Sequence, residues 1–427
     1  DGFPFHHIHA AGKSDWPHVS GELERLGLSS PLLDVRQYIY DMAVVMAAAD
    51  LVISRAGAST LSEVTALGMP TILVPSPYVV ANHQEKNTRG LADQGAAVLL
   101  REQDCAQDTL YETASLLLRE KGRRENMEKA LRAMAVPDAP GAFQVRYELT
   151  GHPKISVLIP SKDHIDDLDR CLTSLYKNAG YDNFEVIVIE NNSTDPATFA
   201  YYETLPSRFA DCRVVYYKGA FNFSAINNFG ATFAEGEHLL LLNNDIEVLS
   251  SDFLRELLSY SQRPDVGAVG AKLYYPDDTI QHAGVLMGIN GSAGHSHKSY
   301  PRTAVGDMYR LVTTQNYMAV TGACLMTKAS LYRAFGGLDE EKFAVAYNDV
   351  DYCLKLWQKG LLNVYTPRAE AYHYESKSRG LDTLSENAKR YEREKANFYA
   401  KYQQYIDNYD PYYNPHFNNL FENFGLK

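Results

Sequence analysis

The side chains best suited to chemistry fall in two short acidic clusters. Asn243, Asn244 and Asp245 close an apolar run, HLLLL at 238–242, that reads as a buried strand. A carboxylate at such a strand end can hold a divalent cation, because Mg2+ and Mn2+ prefer oxygen ligands. Asp349 and Asp351, in NDVD at 348–351, form the second cluster. A free Asp has a pKa of about 3.9, so Asp349 is ionised at neutral pH and is a candidate general base; burial would move it toward a more effective range. One acid for a cation and one for a proton is the minimum for moving a group off a diphosphate. Each cluster also has a plainer reading. Asn-Asn-Asp is good turn chemistry, and two carboxylates near a helix start suit its dipole.

Other candidates lie upstream. Glu190 opens ENNSTD at 190–195, where a carboxylate can accept from a ribose or a base. The same run also reads as a capped loop, with Asp195 and Pro196 starting a helix. FNFS at 221–224, followed by Asn227 and Asn228, opens a helix whose N-terminus can face phosphate, with Ser224 expected as its N-cap. Among 13 histidines there is no HExxH. His295 and His297 follow glycines in what reads as a mobile loop. His373 falls just past the last expected strand, where it could complete a metal site with Asp245.

These residues need a scaffold. Strands are expected over 154–161, 184–190, 212–217 and 238–243, with helices over 165–178 and 224–234. Such alternation predicts an open, mostly parallel sheet, with ligands beyond the carboxyl ends of its strands. Ser161, Asp163, Glu190 and Asp245 all fall there. Further on, strands are expected over 266–275, 317–327 and 363–365, and helices over 349–359 and 386–405. A separate alternation precedes residue 137: helices over 42–49, 59–67, 85–94 and 112–135, and strands over 51–54 and 71–75. Pro137, Pro140 and Gly141 mark a linker over 137–152. The expected domains are therefore 1–136, 153–380 and a tyrosine-rich helical tail over 381–427, whose aromatic side chains are expected to pack against the sheet.

Composition narrows the function. A net charge of -12 argues against nucleic acid, whose phosphates are met by Lys and Arg. Five scattered cysteines without a CxxC pair fit a reducing, cytoplasmic setting. No apolar run reaches the roughly 20 residues of a membrane helix, which leaves peripheral association at the inner face of the plasma membrane open.

The motifs KISVLIPSKD (154–163), VIVIENNSTD (186–195), FNFSAINNFG (221–230), LLLLNNDIEV (239–248), VTGACLM (320–326), FGGLD (335–339) and YNDVDYCL (347–354) resemble those of family 2 glycosyltransferases. The likeness is to bacterial enzymes that build surface polysaccharides. It implies a GT-A fold, Mn2+ or Mg2+, a nucleoside-diphosphate sugar donor, a glycan or lipid-linked acceptor, and inversion at the anomeric carbon. Pro160, Ser161, Asp163 and Glu190, with Asn192, Asn227 and Asn244, would hold the nucleotide. Asp245 would bind metal, with His373 as a further ligand. Asp349 would be the base, and Asp351 would support it or the acceptor. Asn243 stands where the family often has Asp.

The first stretch carries a different likeness. ADLVISRAGASTLSE (49–63), ALGMPTILVP (66–75) and NHQEKN (82–87) resemble the donor-binding domain of the peptidoglycan N-acetylglucosaminyltransferase that forms lipid II, a GT-B enzyme. By that resemblance the backbone at Gly57, Ala58 and Ser59 would meet a diphosphate, Glu63 the ribose, and Gln84 and Asn87 the sugar. With the acceptor domain of that enzyme absent from this sequence, the segment is expected to bind a UDP-sugar at most. The leading expectation is thus a sugar transferase acting through 152–427. Its rivals are a lipid II synthase fragment and a sugar-nucleotide-binding protein without activity.

Overall fold

The computed structural model describes residues 5–78, 83–105, 108–135, 145, 147–375, 385–407, 410–420 and 424–425. The chain divides into two compact units, residues 1–144 and 145–427. Most of the expected linker over 137–152 lies outside the described residues, as does the boundary at 380/381.

In the first unit, β1 (His7–Ala10) and β2 (Leu33–Arg36) pair in parallel, and β3 (Val52–Ser54), β4 (Thr71–Leu73) and β5 (Val98–Leu99) form a second parallel sheet. Helices α1 (Trp16–Leu26), α2 (Met42–Ala48), α3 (Ala58–Leu67) and α4 (His83–Ala92) alternate with them. The single helix expected over 112–135 is two, α5 (Thr109–Arg119) and α6 (Lys121–Met134), broken at Glu120 with ψ 75°. Arg124 Nη1 donates to Leu117 O at 2.8 Å, satisfying a carbonyl that the break leaves free.

The second unit is built on one large sheet. Its first half comprises β6 (Ile155–Ser161), β7 (Phe184–Glu190), β8 (Cys212–Tyr216) and β9 (His238–Leu242), joined by α7 (Ile165–Asn178), α8 (Pro196–Arg208) and α9 (Phe223–Ala231). These strands are parallel in the order β8-β7-β6-β9. The order reverses between β6 and β9, which is the crevice where open α/β sheets bind ligands. Alternation along the strands fills both faces. Ile155, Val157, Val186, Val188, Leu240 and Leu242 enter one core; Leu158, Ile187, Ile189, Leu239 and Leu241 enter the other.

The remaining elements make the sheet mixed rather than mostly parallel. They are β10 (Ile246–Val248), α10 (Phe253–Ser261), β11 (Val266–Tyr274), β12 (Ile280–His282), β13 (Val285–Met287), β14 (Ala293–His295), β15 (Gln315–Tyr317), β16 (Cys324–Lys328), α11 (Ala329–Ala334), α12 (Asn348–Trp357), β17 (Leu362–His373) and α13 (Ser385–Asp407). β16 pairs antiparallel with β9, then β11, β17 and β10 complete the order. The strand expected over 317–327 is interrupted, because the chain leaves the sheet to form a turn at Thr321 and Gly322. The short strand expected over 363–365 runs on for 12 residues. Pro367 is accommodated where the register with β11 shifts between Ala271 and Lys272.

β13 and β14 form a separate hairpin over the end of the sheet. His295 therefore lies in a strand, and His297 is buried and stacked on Phe424, so the mobile loop expected there is not what the chain builds. The hairpin enters through Gly284, whose φ is +100°; a Cβ there would lie 2.2 Å from the Tyr317 ring. Gly284→Ala combines a forbidden φ with overpacking and is expected to lower stability by about 3 kcal/mol. A denaturant midpoint equal to wild type would contradict this.

Candidate active site

The loop after β9 supplies the first half of the site. Asn243 N donates to Ala323 O at 3.0 Å, continuing the β9–β16 ladder, and Tyr374 N donates to Asp245 O at 3.0 Å. His373, the last residue of β17, is thereby brought beside the Asp245 side chain: Nε2 lies 3.2 Å from Oδ1. The tautomer is set one layer out. Gln281 Nε2 donates to Glu375 at 3.0 Å, so Gln281 Oε1 faces His373 Nδ1 at 2.6 Å and accepts its proton. Nε2 then faces both Asp245 Oδ1 at 3.2 Å and Asn243 Nδ2 at 3.1 Å. Asp245 Oδ1 and Asn243 Oδ1 are buried and receive no hydrogen bond.

A carboxylate oxygen and an imidazole nitrogen 3.2 Å apart, with an amide beside them, suit a cation. Adjacent ligands of an octahedral ion with bonds of about 2.1 Å stand about 3 Å apart, close to the observed separation. Among the described residues no group of three or more His, Cys, Asp or Glu side chains assembles to hold a metal. Asp245, His373 and the Asn243 amide would thus be a partial set, completed by ligand oxygens. Burial raises the Asp245 carboxyl, but the His373 ring and Arg170 outweigh it and hold it below the ordinary range.

Asp349 stands one strand away. Its helix, α12, begins after Tyr347 in the left-handed region, φ +63°. Gly322 N donates to Asp349 Oδ2 at 2.7 Å, and Gly322 adjoins Ala323, the partner of Asn243. The two acidic clusters therefore share one edge of the sheet. Burial raises the Asp349 carboxyl above its ordinary range, against the pull of the Gly322 and Val350 amides.

Asp351 has a different position. It is fully buried; Lys355 and Lys401 reach it at 2.9 and 2.6 Å, and Tyr402 Oη donates at 2.7 Å. This carboxylate ties α12, the helix that carries Asp349, to α13.

The residues expected to hold a nucleotide gather beyond β6 and β7. Pro160 is half-buried and Ser161 buried at the end of β6. Asp163, at φ +50°, accepts from Thr194 N at 2.9 Å and Asp195 N at 3.0 Å through Oδ1; Oδ2 receives only Thr194 Oγ1 at 3.3 Å and is the freer oxygen. Glu190 is 3% exposed and is occupied by Ser193 N, Ser193 Oγ and Tyr202 Oη at 2.5, 2.6 and 2.7 Å. It ties the loop after β7 to α8. Asn192 Nδ2 donates to Gly219 O at 2.8 Å. Asn227 is fully buried in α9; its Nδ2 donates to Phe223 O at 2.9 Å and its Oδ1 has no donor. Asn244 is half-buried between Asn243 and Asp245. The N-cap of α9 is Asn222, whose side chain accepts from Ala225 N, and not Ser224, whose Oγ donates to Phe343 O at 2.6 Å.

In the first unit, Gly57 is the N-cap of α3, directly after β3 and Ser54–Ala56, and Ala58 and Ser59 make its first turn. Gln84 accepts from Ser76 N at 2.9 Å, just past β4. Glu63 and Asn87 are exposed on α3 and α4. These positions share the carboxyl edge of the three-stranded sheet, except that Asn82 of the expected motif lies outside the described residues.

The sequence reading passed over Gln281, His282 and the Thr321–Gly322 turn, and took Asn243 only as a departure from the family's Asp. Their signal was weak because each acts through a partner on another strand.

Comparison with known proteins agrees with this division. Residues 2–140 match the glycosyltransferase family 28 C-terminal domain, and residues 156–333 match glycosyl transferase family 2. The uncharacterised protein y4gI of Sinorhizobium fredii is 42% identical over 255 residues, 60% of this chain and 28% of that protein. The O-antigen biosynthesis protein RfbC of Myxococcus xanthus is 41% identical over 251 residues, 58% of this chain and 19% of its own. The N-terminal part is similar to the UDP-N-acetylglucosamine--N-acetylmuramyl-(pentapeptide) pyrophosphoryl-undecaprenol N-acetylglucosamine transferase of Acetivibrio thermocellus, 45% identical over 136 residues, 32% of this chain and 36% of that enzyme. The chain thus spans 19% to 36% of the length of these curated relatives. Two segments in series thus match glycosyltransferase family models, 2–140 and 156–333, and the strand-end site around Asp245 lies within the second.

Proposed function

We propose that residues 153–380 transfer a sugar, with inversion, from a nucleoside-diphosphate donor to a surface polysaccharide or glycolipid acceptor. One observation carries the reading: Asp245 Oδ1 and His373 Nε2 face each other at 3.2 Å on the same sheet edge as Asp349. The role in O-antigen biosynthesis for which the Myxococcus relative is named supports the acceptor class.

Asp349 takes the proton of an acceptor hydroxyl as its oxygen attacks the anomeric carbon. A new carbon–oxygen bond forms as the bond to the diphosphate breaks, and the diphosphate leaves with the electron pair. Asp245, His373 and Asn243 would hold Mn2+ or Mg2+, which when bound neutralises charge on the departing diphosphate. Ser161 and Asp163 Oδ2, beyond the end of β6, would hold the nucleotide, with Asn227 buried behind them in α9. Gly322 N fixes Asp349 so that one oxygen remains directed by the backbone.

Asp349→Asn is expected to lower kcat by about 10²–10⁴-fold, the usual contribution of a general base, with donor affinity unchanged. Asp351→Asn should instead lose about 3 kcal/mol, as a buried ion pair does when one partner is removed, while the folded fraction still turns over. Turnover surviving in the first and lost in the second would exchange the two roles.

The raised Asp349 carboxyl sets a pH dependence. Its basic form accepts the proton, so rate rises with pH, and the acidic limb of kcat/KM should lie above the ordinary Asp value of about 4. A limb at or below that value contradicts the assignment.

Asp245→Ala is expected to reduce Mn2+-dependent nucleotide affinity about tenfold or more by calorimetry, since even outer-shell partners of metal sites cost about that much. Unchanged metal-dependent affinity would remove Asp245 as a ligand. UDP-GlcNAc affinity that persists in Asp245→Ala without metal would belong to Gly57–Ser59, Glu63, Gln84 and Asn87 of the first unit.

A further inference from the structure

A buried histidine pair lies between the two halves of this site. His282, the last residue of β12, is fully buried, and its Nδ1 is 2.9 Å from Nδ1 of His295, the last residue of β14. The rings cross nearly at right angles, with an interplanar angle of 82°. Only one of two facing nitrogens can carry the proton, and the surroundings decide which. His282 Nε2 receives the backbone N–H groups of Gly284 and Thr321, each at 3.4 Å. That nitrogen is therefore the bare one, and the proton of a neutral His282 is on Nδ1. His282 Nδ1–H must donate to His295 Nδ1, which leaves the proton of His295 on Nε2. Burial, helped by His295 and His373 at His282 and by Lys298 and His373 at His295, lowers the pKa of both rings. His295 is half-buried, and its Nε2 has no protein hydrogen bond among the described residues.

The placement gives this donor a use. Gln281, adjacent to His282, holds His373 of the cation set. Thr321, which His282 holds, adjoins Gly322, which holds Asp349. The pair thus joins the cation half to the base half, and His295 is its exposed end. Hairpin packing alone requires neither a histidine at both positions nor a defined tautomer.

Resting on the transferase reading above, we propose that His295 contacts substrate directly, donating Nε2–H to a hydroxyl oxygen of a sugar bound between Asp245 and Asp349, and that His282 is the positioning residue that fixes this tautomer. A site built to donate to a sugar hydroxyl discriminates against analogues lacking it, because its buried partner is then left unpaired.

Long-range proton–nitrogen spectra of the full chain test the tautomers without any substrate. His295 is expected as the Nε2–H form and His282 as the Nδ1–H form. The reverse assignment overturns the proposal whether or not the protein transfers sugar, so its failure is distinct from failure of the reading on which it rests. Binding then tests the contact, with Mn2+ present and with UDP, GDP, UDP-GlcNAc and GDP-mannose as probes, followed by simple monosaccharide glycosides in place of acceptor. His295→Phe should weaken binding of a sugar-bearing probe about tenfold without changing affinity for the nucleoside diphosphate. His295→Gln, which keeps an N–H at the position of Nε2, should restore most of it, and His282→Phe should reproduce the loss. A response to a sugar nucleotide places the hydroxyl on the donor; a response to the glycosides alone places it on the acceptor. Equal loss of UDP and UDP-GlcNAc in His295→Phe, or no rescue by Gln, would make the pair purely structural.

Discussion

The antiparallel ladder between β9 and β16 is the constraint on which the site depends. β9 ends the parallel half of the sheet with its carboxyl edge toward the crevice, and β16 begins at that same edge. The last bond of the ladder, Asn243 N to Ala323 O, puts the cation half and the Thr321–Gly322 turn side by side. Strands running in parallel could not do this, since their like ends and not their opposite ends would meet. The mixed sheet is therefore the feature that brings residues far apart in sequence, Asp245 and Asp349, to one edge.

That edge holds polar atoms in an unfavourable state. Asp245 Oδ1, Asn243 Oδ1 and Asn227 Oδ1 are all buried without a donor. Each such group costs about 1–3 kcal/mol relative to a satisfied one. The nearby loops show the opposite treatment. Asp163, Glu190 and Asn192 are hydrogen-bonded into the turns that carry them, and three backbone positions there, Asp163, His164 and Asn192, adopt φ between +49° and +57°. The polar groups left unsatisfied are those that a ligand would complete, while those that shape the pocket are already complete.

The legible parts of the sequence were those decided by local pattern. Strand β7 and helix α7 have the bounds expected, because apolar alternation and a 3.6-residue period are each set within one element. The less legible parts depend on neighbours. β17 was expected to be short, yet it runs on past Pro367, which sits at a register shift that only the partner strand creates. Asn222 and Ser224 are both good cap residues, and the choice between them is made by Phe343, which accepts the Ser224 hydroxyl. Glu190 reads as a ligand for a ribose, while its bond to Tyr202, a turn into the next helix, shows only in the fold. His282 and His295 carry no signal alone, since their meaning lies in a hairpin that joins them.

The tail helix illustrates how distant sequence reaches the chemistry. Phe398, Tyr402 and Ile406 lie four residues apart and are buried, the stripe expected of a helix docked along one face. Around that stripe the polar residues act on the start of α12. Glu394 accepts from Ala346 N at 2.6 Å, Tyr391 bonds the Tyr347 hydroxyl at 3.0 Å, and Phe398 stacks on the Tyr347 ring at 4.6 Å. Tyr347 is the left-handed residue from which Asn348 and Asp349 follow. A tyrosine in that conformation is unfavourable by itself, and persists only when its surroundings over-determine it. Ser292 of the hairpin adds a further bond to the same hydroxyl, at 2.8 Å. The direction in which Asp349 leaves the backbone is thus set jointly by the tail and by the hairpin that carries His295, so the base and the proposed sugar contact are positioned by one shared set of aromatic contacts.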